Sequence, residues 1–495
     1  MAEKDPPNVL LITMDQWPGS LLGCEGHSVI ETPTIDRLAK SGIRFKRAYS
    51  ECPICIPARR SLMTGQSPRL HGDRVFSPSL KMPLETKTLA QAFRDAGYQA
   101  YAVGKLHVLP QRDRIGFDDT YISEEGRPHF GTIDDYDLYL ADRGFVGQQF
   151  SHGMPNNDYL WRTWHLPEDC HVTNWAVQQM CRTIKRRNPD KPSFWYLSFT
   201  HPHPPLIPLA SYVERYSRKE MPPPLVSDWT ENTYSHFLGA VKSRWPTLSK
   251  ERIADIRRAF YALCTHIDAQ IRVVIGTLRE ENLLDNTIIM ITSDHGDMLG
   301  DFGLFSKRLM YEGSSRIPMV LVGTRKNNAF NQGEISNKLV CLADIMPTLL
   351  DLAGIDIPKS CDGESMLSDH SRENLYAESN EGVNATRMIM DDRYKLIWYP
   401  NGNIVQIFDL LQDPNELTDI ANDPKILNHR KHLEKSLIDR LYGEDLNFVR
   451  NFELVGTPAT IQSLSSANGL GLSDERDLLA QRGVHYPAPP LKNWK

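Results

Sequence analysis

Four short apolar runs in this chain each lead into side chains capable of chemistry. Asn8 to Thr13 runs into Asp15 and Gln16, and Gln99 to Val103 into Gly104, Lys105 and His107. Phe194 to Thr200 runs into His201 and His203, and Thr287 to Ser293 into Asp294 and His295. Unbroken apolar runs, as opposed to alternating ones, are the pattern of strands buried on both faces, as in a parallel sheet with ligands at its carboxyl edge. Helices are predicted between them. Thr32 is placed to cap a helix with Pro33 at its first position and Gly42 at its end. Thr88 to Ala96 predicts another, closed by Gly97, and a longer helical segment spans about Lys250 to Glu281. The alternation of strand and helix predicts an α/β fold with a mostly parallel sheet flanked by helices.

The texture changes after about residue 370. Tyr394 to Tyr399, the turn Pro400-Asn401-Gly402 and Ile404 to Phe408 read as a hairpin in a smaller antiparallel sheet. A helical segment near His429 to Tyr442 follows, and the chain is loop-rich from about Asn447. The expected organisation is a large α/β domain over 1–370 and a C-terminal subdomain over 371–495. Neither an internal repeat nor a low-complexity segment interrupts it.

At 495 residues, with 40% hydrophobic and 24% charged residues, the chain can bury a large core. Its net charge of −6 and the lack of a long basic block argue against a nucleic-acid or heparin-type surface. No run approaches the ~18 apolar residues of a membrane span. Eight cysteines are too sparse for a disulfide scaffold and read as mostly free thiols. The N-terminus lacks the parts of a secretory signal, so a cytoplasmic enzyme is expected.

Cys55-Ile56-Pro57-Ala58-Arg59, continued by Arg60-Ser61-Leu62-Met63-Thr64-Gly65, adds candidate chemistry. A cysteine just ahead of a proline that can start a helix, with an arginine one turn on, sits where helix N–H groups and a guanidinium favour an anion. Burial as a small apolar side chain is the competing reading. Cys52 and Cys55 also form a Cys-x-x-Cys pair, but no second pair stands at zinc spacing. Asp15 and Asp294-His295 could meet at one sheet edge and bind a divalent cation, or could serve as structural groups or helix caps. His201-Pro202-His203-Pro204-Pro205 is a restricted loop that can aim an imidazole at a substrate.

Cys55, Pro57, Arg59, Ser61 and the Leu62-Met63-Thr64-Gly65 run resemble the signature of the type I sulfatases of the alkaline phosphatase superfamily. In that family a separate formylglycine-generating enzyme oxidises the cysteine to formylglycine. Gly97-Tyr98 with Gly104-Lys105-Leu106-His107 matches the family's second signature, and Lys307 matches its other sulfate-binding lysine. The resemblance implies an alkaline-phosphatase-like fold and hydrolysis of a small-molecule or oligosaccharide sulfate ester, whether carbohydrate, aryl or alkyl.

It also implies Asp15, Gln16, Asp294 and His295 as metal ligands, with an oxygen of modified Cys55 completing the shell. Many members carry aspartate at the Gln16 position and asparagine at the His295 position. Calcium is favoured, with manganese or magnesium also admissible for this donor set. By the same resemblance Arg59 steadies the nucleophile and metal shell, and Lys105 and Lys307 hold sulfate. His203 protonates the leaving alcohol, and His107 is the base that collapses the sulfated hemiacetal. A hydrated aldehyde attacks with one hydroxyl and releases sulfate when the other loses its proton, so the second step breaks a C–O bond. Other readings share parts of the pattern: a phosphonate monoester hydrolase or phosphodiesterase, a choline sulfatase, and an inactive anion-binding protein of the same fold.

Overall fold

Eight strands form the central sheet of the computed structural model, which describes residues 6–77, 81–82, 86–125, 133–232, 235–244, 248–325 and 329–460. They are β1 (Asn8–Asp15), β2 (Ile43–Tyr49), β3 (Gln99–Gly104), β4 (Asp119–Ile122), β5 (Ser193–Pro202), β6 (Thr287–Ser293), β7 (Met319–Val322) and β8 (Glu334–Cys341). Their order is β4-β3-β5-β1-β6-β7-β2-β8. All neighbours are parallel except β7, which runs antiparallel to β6 and β2.

The four strands anticipated from apolar runs are consecutive neighbours, β3-β5-β1-β6, in the sheet. Every residue of β1, β5 and β6 is buried, which accounts for the unbroken apolar character. Strand geometry sends alternate side chains to opposite faces. Leu10, Ile12, Trp195, Leu197, Ile289 and Ile291 therefore join a core with the helices Val172–Lys185 and Lys250–Glu280. Val9, Leu11, Phe194, Tyr196, Ile288 and Met290 join another on the opposite face, with the helices Cys55–Thr64, Leu89–Asp95 and Ile345–Ala353. Full burial of each such aliphatic side chain stabilises by about 1.5–3 kcal/mol.

Thr88 caps its helix as expected, accepting a hydrogen bond from the Gln91 N–H at 3.1 Å. Thr32 does not. Its hydroxyl accepts from the Gly23 N–H and donates to Asp36, and the helix Pro33–Ser41 is capped from elsewhere. The Asp268 carboxylate, on the long helix, accepts from the Thr34 and Ile35 N–H groups at 3.0 and 2.8 Å. Gly42 ends the Pro33 helix in extended backbone; its requirement is space, since a Cβ there would lie 2.1 Å from the Leu321 carbonyl oxygen.

The second sheet comprises β9 (Leu375–Ser379), β10 (Thr386–Met390), β11 (Tyr394–Tyr399) and β12 (Ile404–Asp409), all antiparallel. The predicted hairpin is β11–β12. One face of this sheet packs Ala377, Met388, Ile397 and Phe408 against Met298, Leu304, Leu309 and Tyr311 of the large body. The helix Leu427–Ile438 covers the other. Most of the anticipated loop-rich tail, 461–495, lies outside the described residues. All eight cysteines are free thiols, and among the described residues no helix is long and apolar enough to cross a membrane.

Burial raises the Asp268 carboxyl to about 6, despite the two N–H groups it accepts from. The folded chain thus retains a proton that the unfolded chain releases near 3.8, so this group's contribution is full below that pH and is lost as pH rises through 6. Asp268→Asn keeps an acceptor for the helix while removing the titration. Its denaturant stability relative to wild type should improve by an amount of order 3 kcal/mol between pH 4 and 7; a difference that does not vary with pH contradicts the assignment.

Candidate active site

The carboxyl ends of β3, β5, β1 and β6 and the N-terminus of the helix Cys55–Thr64 meet in one buried cluster. The helix begins at Cys55 itself, so Pro57 is its third residue, not its first. That position tolerates proline because the N–H groups of the first turn have no intrahelical acceptor. The Cys55 thiol lies 3.0 Å from Lys307 Nζ and 3.2 Å from His295 Nε2. Burial and Asp15 push the thiol pKa up, but Lys307, Lys105 and His295 outweigh them and leave it below its ordinary value.

Arg59, one turn along the helix, is buried at the centre of the cluster. Its guanidinium donates to Asp294 Oδ2 (3.2 Å), the Lys105 carbonyl (2.9 Å), Ser198 Oγ (2.8 Å) and Asp15 Oδ2 (3.4 Å). Burial works against its charge, yet Asp294, Tyr196 and Asp15 raise its pKa further. Lys105 Nζ donates to Asp15 and to Glu125, the latter at 2.6 Å. Burial would raise the Asp15 carboxyl, but Lys105 first, then His203, Lys307 and Arg59, hold it well below the usual carboxylate range.

Asp15, Cys55, Asp294 and His295 place one ligand atom each within 4.8 Å of one another. His295 Nδ1 lies 3.0 Å from the Gly296 carbonyl, which assigns the proton to that nitrogen and turns the Nε2 lone pair toward the thiol. Burial disfavours a charged imidazole here, but Asp294 and Cys55 raise the His295 pKa. Asp15 Oδ1 has no hydrogen-bond partner among the described residues. Two carboxylates, one of them with an unsatisfied buried oxygen, and a lone-pair nitrogen form an acceptor-rich pocket, so this donor set fits a divalent cation.

Gln16 stands beside it with φ 71°, its N–H donating to Asp294 Oδ1. Its side-chain amide donates to Asp297 and Tyr159, leaving Oε1 to face Lys307 Nζ at 3.1 Å. An amide oriented this way presents its oxygen to Lys307, beside Cys55, and its nitrogen to Asp297 and Tyr159. His203 Nδ1 donates to the Pro204 carbonyl at 2.6 Å and lies 3.6 Å from Glu125. Burial, then Lys307, depresses its pKa well below the ordinary value, although Glu125 and Asp15 oppose them. His107 has φ 60°; its N–H donates to Glu124, and its ring meets Phe76 edge-on at 5.6 Å. Phe76 packs with Ile54 and Ile56, the neighbours of Cys55.

The candidate residues therefore gather at this edge, His107 at its margin with its ring against Phe76. The sequence reading missed Asp297, Tyr159, Glu125 and Ser198, which hold the others in place. Asp297 had a signal, standing two residues beyond His295 at the same strand end; the others had none. Also unanticipated is the second sheet's hold on the Lys307 loop. Ser379 donates to the Arg308 carbonyl at 2.7 Å, and Lys395 to the Met310 carbonyl at 3.0 Å and Glu416 at 2.9 Å.

Comparisons with known proteins give the family. The sulfatase family model matches residues 7–355, and a model described as N-sulphoglucosamine sulphohydrolase, C-terminal, matches 300–442. An arylsulfatase of Clostridium perfringens is 33% identical, with 91% of this chain and 97% of that protein covered. A choline-sulfatase of Rhizobium meliloti is 28% identical, with 85% and 83% covered. Among solved structures, the phosphonate monoester hydrolase of Agrobacterium radiobacter shares the fold, with a TM-score of 0.77 at 22% identity over 91% of this chain and 99% of that one. The chain belongs to the sulfatase family. It is a sulfuric ester hydrolase.

Gly104 tests how the site is positioned. With φ 104° and a Cβ that would fall 1.8 Å from the Ser198 carbonyl oxygen, alanine there must separate β3 from β5 just before Lys105. Gly104→Ala should destabilise the protein by at least the ~3 kcal/mol upper end of ordinary substitutions. Denaturant unfolding checks this, and near wild-type stability would contradict the close approach.

Proposed function

We propose that the chain hydrolyses a sulfate monoester at Cys55 after its conversion to formylglycine, with one divalent cation, calcium, held by Asp15, Gln16, Asp294 and His295. The observation that carries this reading is the Cys55 thiol 3.0 Å from Lys307 Nζ and 3.2 Å from His295 Nε2, within the acceptor cluster. When bound, the cation neutralises charge on the sulfate oxygens, and the formylglycine hydrate supplies an attacking hydroxyl with a second one for release.

The chain's own groups do the rest. Arg59 fixes Asp15 and Asp294 while remaining charged. Lys307 and Lys105 flank the nucleophile and balance the incoming anion. His203, its Nδ1 committed to Pro204, would take a proton from solvent onto Nε2 and deliver it to the leaving oxygen, and solvent would take the proton lost by the attacking hydroxyl. His107 accepts the proton lost when sulfate is released. General acid–base help of this kind contributes roughly 10²–10⁴-fold per group. A formylglycine-generating enzyme is the required maturation partner.

Cys55→Ala should abolish multiple turnover of an aryl sulfate by protein coproduced with that partner, whose intact mass should show conversion of the cysteine. Undiminished turnover in the variant would place the chemistry elsewhere. Asp15-Gln16 and His203-Pro204-Pro205 also resemble phosphonate monoester hydrolases, so rates on an aryl sulfate and phenyl phosphonate should be compared in parallel. Sulfate is expected to be faster; the reverse order would reassign the activity.

Removal of metal by a chelator should abolish turnover, and calcium should restore it, with one ion per chain by elemental analysis. Restoration by manganese alone would replace calcium in this assignment. Activity that survives complete metal removal would overturn the cation's role.

A further inference from the structure

Beside His203 the cluster opens into a half-open cleft. Its wall includes Ser123, Gln149, His152, His201 and His203, together with the aromatic rings of Phe150 and Trp164. The five polar residues are buried, with His152 only 3% and His201 5% exposed. Ser123 Oγ, Gln149 Oε1 and Nε2 of all three histidines have no hydrogen-bond partner among the described residues. Leaving such groups unsatisfied costs about 1–3 kcal/mol each, so several at one cleft call for a ligand or solvent that bonds to them.

Their polarity can be read from the opposite ring nitrogens. His152 Nδ1 accepts from the Met154 N–H at 3.1 Å, so its Nε2 carries the proton and is a donor. His201 Nδ1 lies 3.3 Å from the His203 carbonyl and His203 Nδ1 2.6 Å from the Pro204 carbonyl, so both Nε2 atoms are acceptors in the neutral rings. Gln149 Oε1 is an acceptor, and Ser123 can do either. Burial holds His152 and His201 near 4, hence uncharged at neutral pH. Glu125 is the one charged side chain in the described lining, and Lys105 already pairs with it.

A donor set among acceptors, on neutral groups, matches hydroxyls, each of which donates and accepts. A quaternary ammonium could rest on Phe150 and Trp164 but would leave all five polar atoms unsatisfied. A plain aryl leaving group would do the same, and a second anionic group on the substrate would meet no unpaired cation in this described lining. We propose that the cleft is the leaving-group site for a neutral, polyhydroxylated alcohol, a monosaccharide O-sulfate bearing no other charge, with His152 and Gln149 as specificity-determining residues. This rests on the sulfatase reading above and names its substrate class.

The test uses full-length protein with Cys55 converted, assayed on a panel of neutral monosaccharide sulfates, 4-nitrophenyl sulfate and choline sulfate. A neutral sugar sulfate should have the highest kcat/KM. In His152→Phe and Gln149→Leu the ratio of its kcat/KM to that of 4-nitrophenyl sulfate should fall about tenfold or more, mainly through KM, because a site built to bond hydroxyls discriminates by the bonds it makes. Preference for choline sulfate or the aryl ester, or an unchanged ratio in both variants, overturns the proposal.

Calorimetric titration of Cys55→Ala protein with the same sugar sulfates separates this from failure of the parent reading. Binding weakened by His152→Phe in that background supports the cleft assignment even if no sulfate ester is turned over, a result that would sink only the hydrolytic reading. Absence of sugar-sulfate binding, with a normal melting temperature, overturns the cleft assignment even where 4-nitrophenyl sulfate is hydrolysed.

Discussion

The buried guanidinium of Arg59 is the interaction on which the rest of the site depends. It touches Asp15 at the end of β1, Asp294 after β6, Ser198 in β5 and the Lys105 carbonyl after β3, and so ties the helix bearing Cys55 to four adjacent strands. Removing the guanidinium or either carboxylate would leave buried charge poorly compensated, which is far more costly than loss of a surface ion pair. Because the same two carboxylates also belong to the acceptor cluster with Cys55 and His295, Arg59 couples the position of the thiol to the geometry of that cluster. A lysine could reach one carboxylate but not span these acceptors, since only the planar fork offers five donors.

A second constraint comes from outside the large sheet. Lys307 rides on a loop with positive φ at Ser306 and Arg308, 69° and 77°, which is an uncommon backbone for side chains bearing a Cβ. The antiparallel sheet holds the segment that follows through Ser379, Lys395 and the apolar packing around Tyr311. Burial opposes charge on Lys395, but Glu312 and Glu416 raise its pKa and keep the ammonium in place. The smaller sheet is thus part of the active-site support: it holds the cation that sits 3.0 Å from the Cys55 thiol.

The site divides into two halves of different chemistry. Around Cys55, charges of both signs are packed together and compensate one another. Across His203, the described lining of the cleft carries one charged side chain, Glu125, paired with Lys105, and is otherwise made of uncharged polar groups, apolar side chains and aromatic rings. Under the proposed reading, the charged half is the one that meets sulfate and the developing charge, and the other half is the one that meets the alcohol.

Much of this was legible in the chain. Burial on both faces demands unbroken apolar strands, so β1, β3, β5 and β6 announced themselves, as did the polar residues at their ends. The Cys55 segment carried its own helix signal, although the start fell at Cys55 instead of Pro57. The Thr32 cap failed because Asp268, 233 residues from Ile35, takes the helix N–H groups. Tertiary structure alone decided that β3, β5, β1 and β6 are adjacent, that Asp297 and Tyr159 turn the Gln16 amide, and that Gln149 and His152 line one cleft with His201. Those contacts arise from packing between segments remote in the chain, where no periodicity or local propensity encodes the partner; local patterning specifies which residues are buried, and only the assembled sheet specifies beside what.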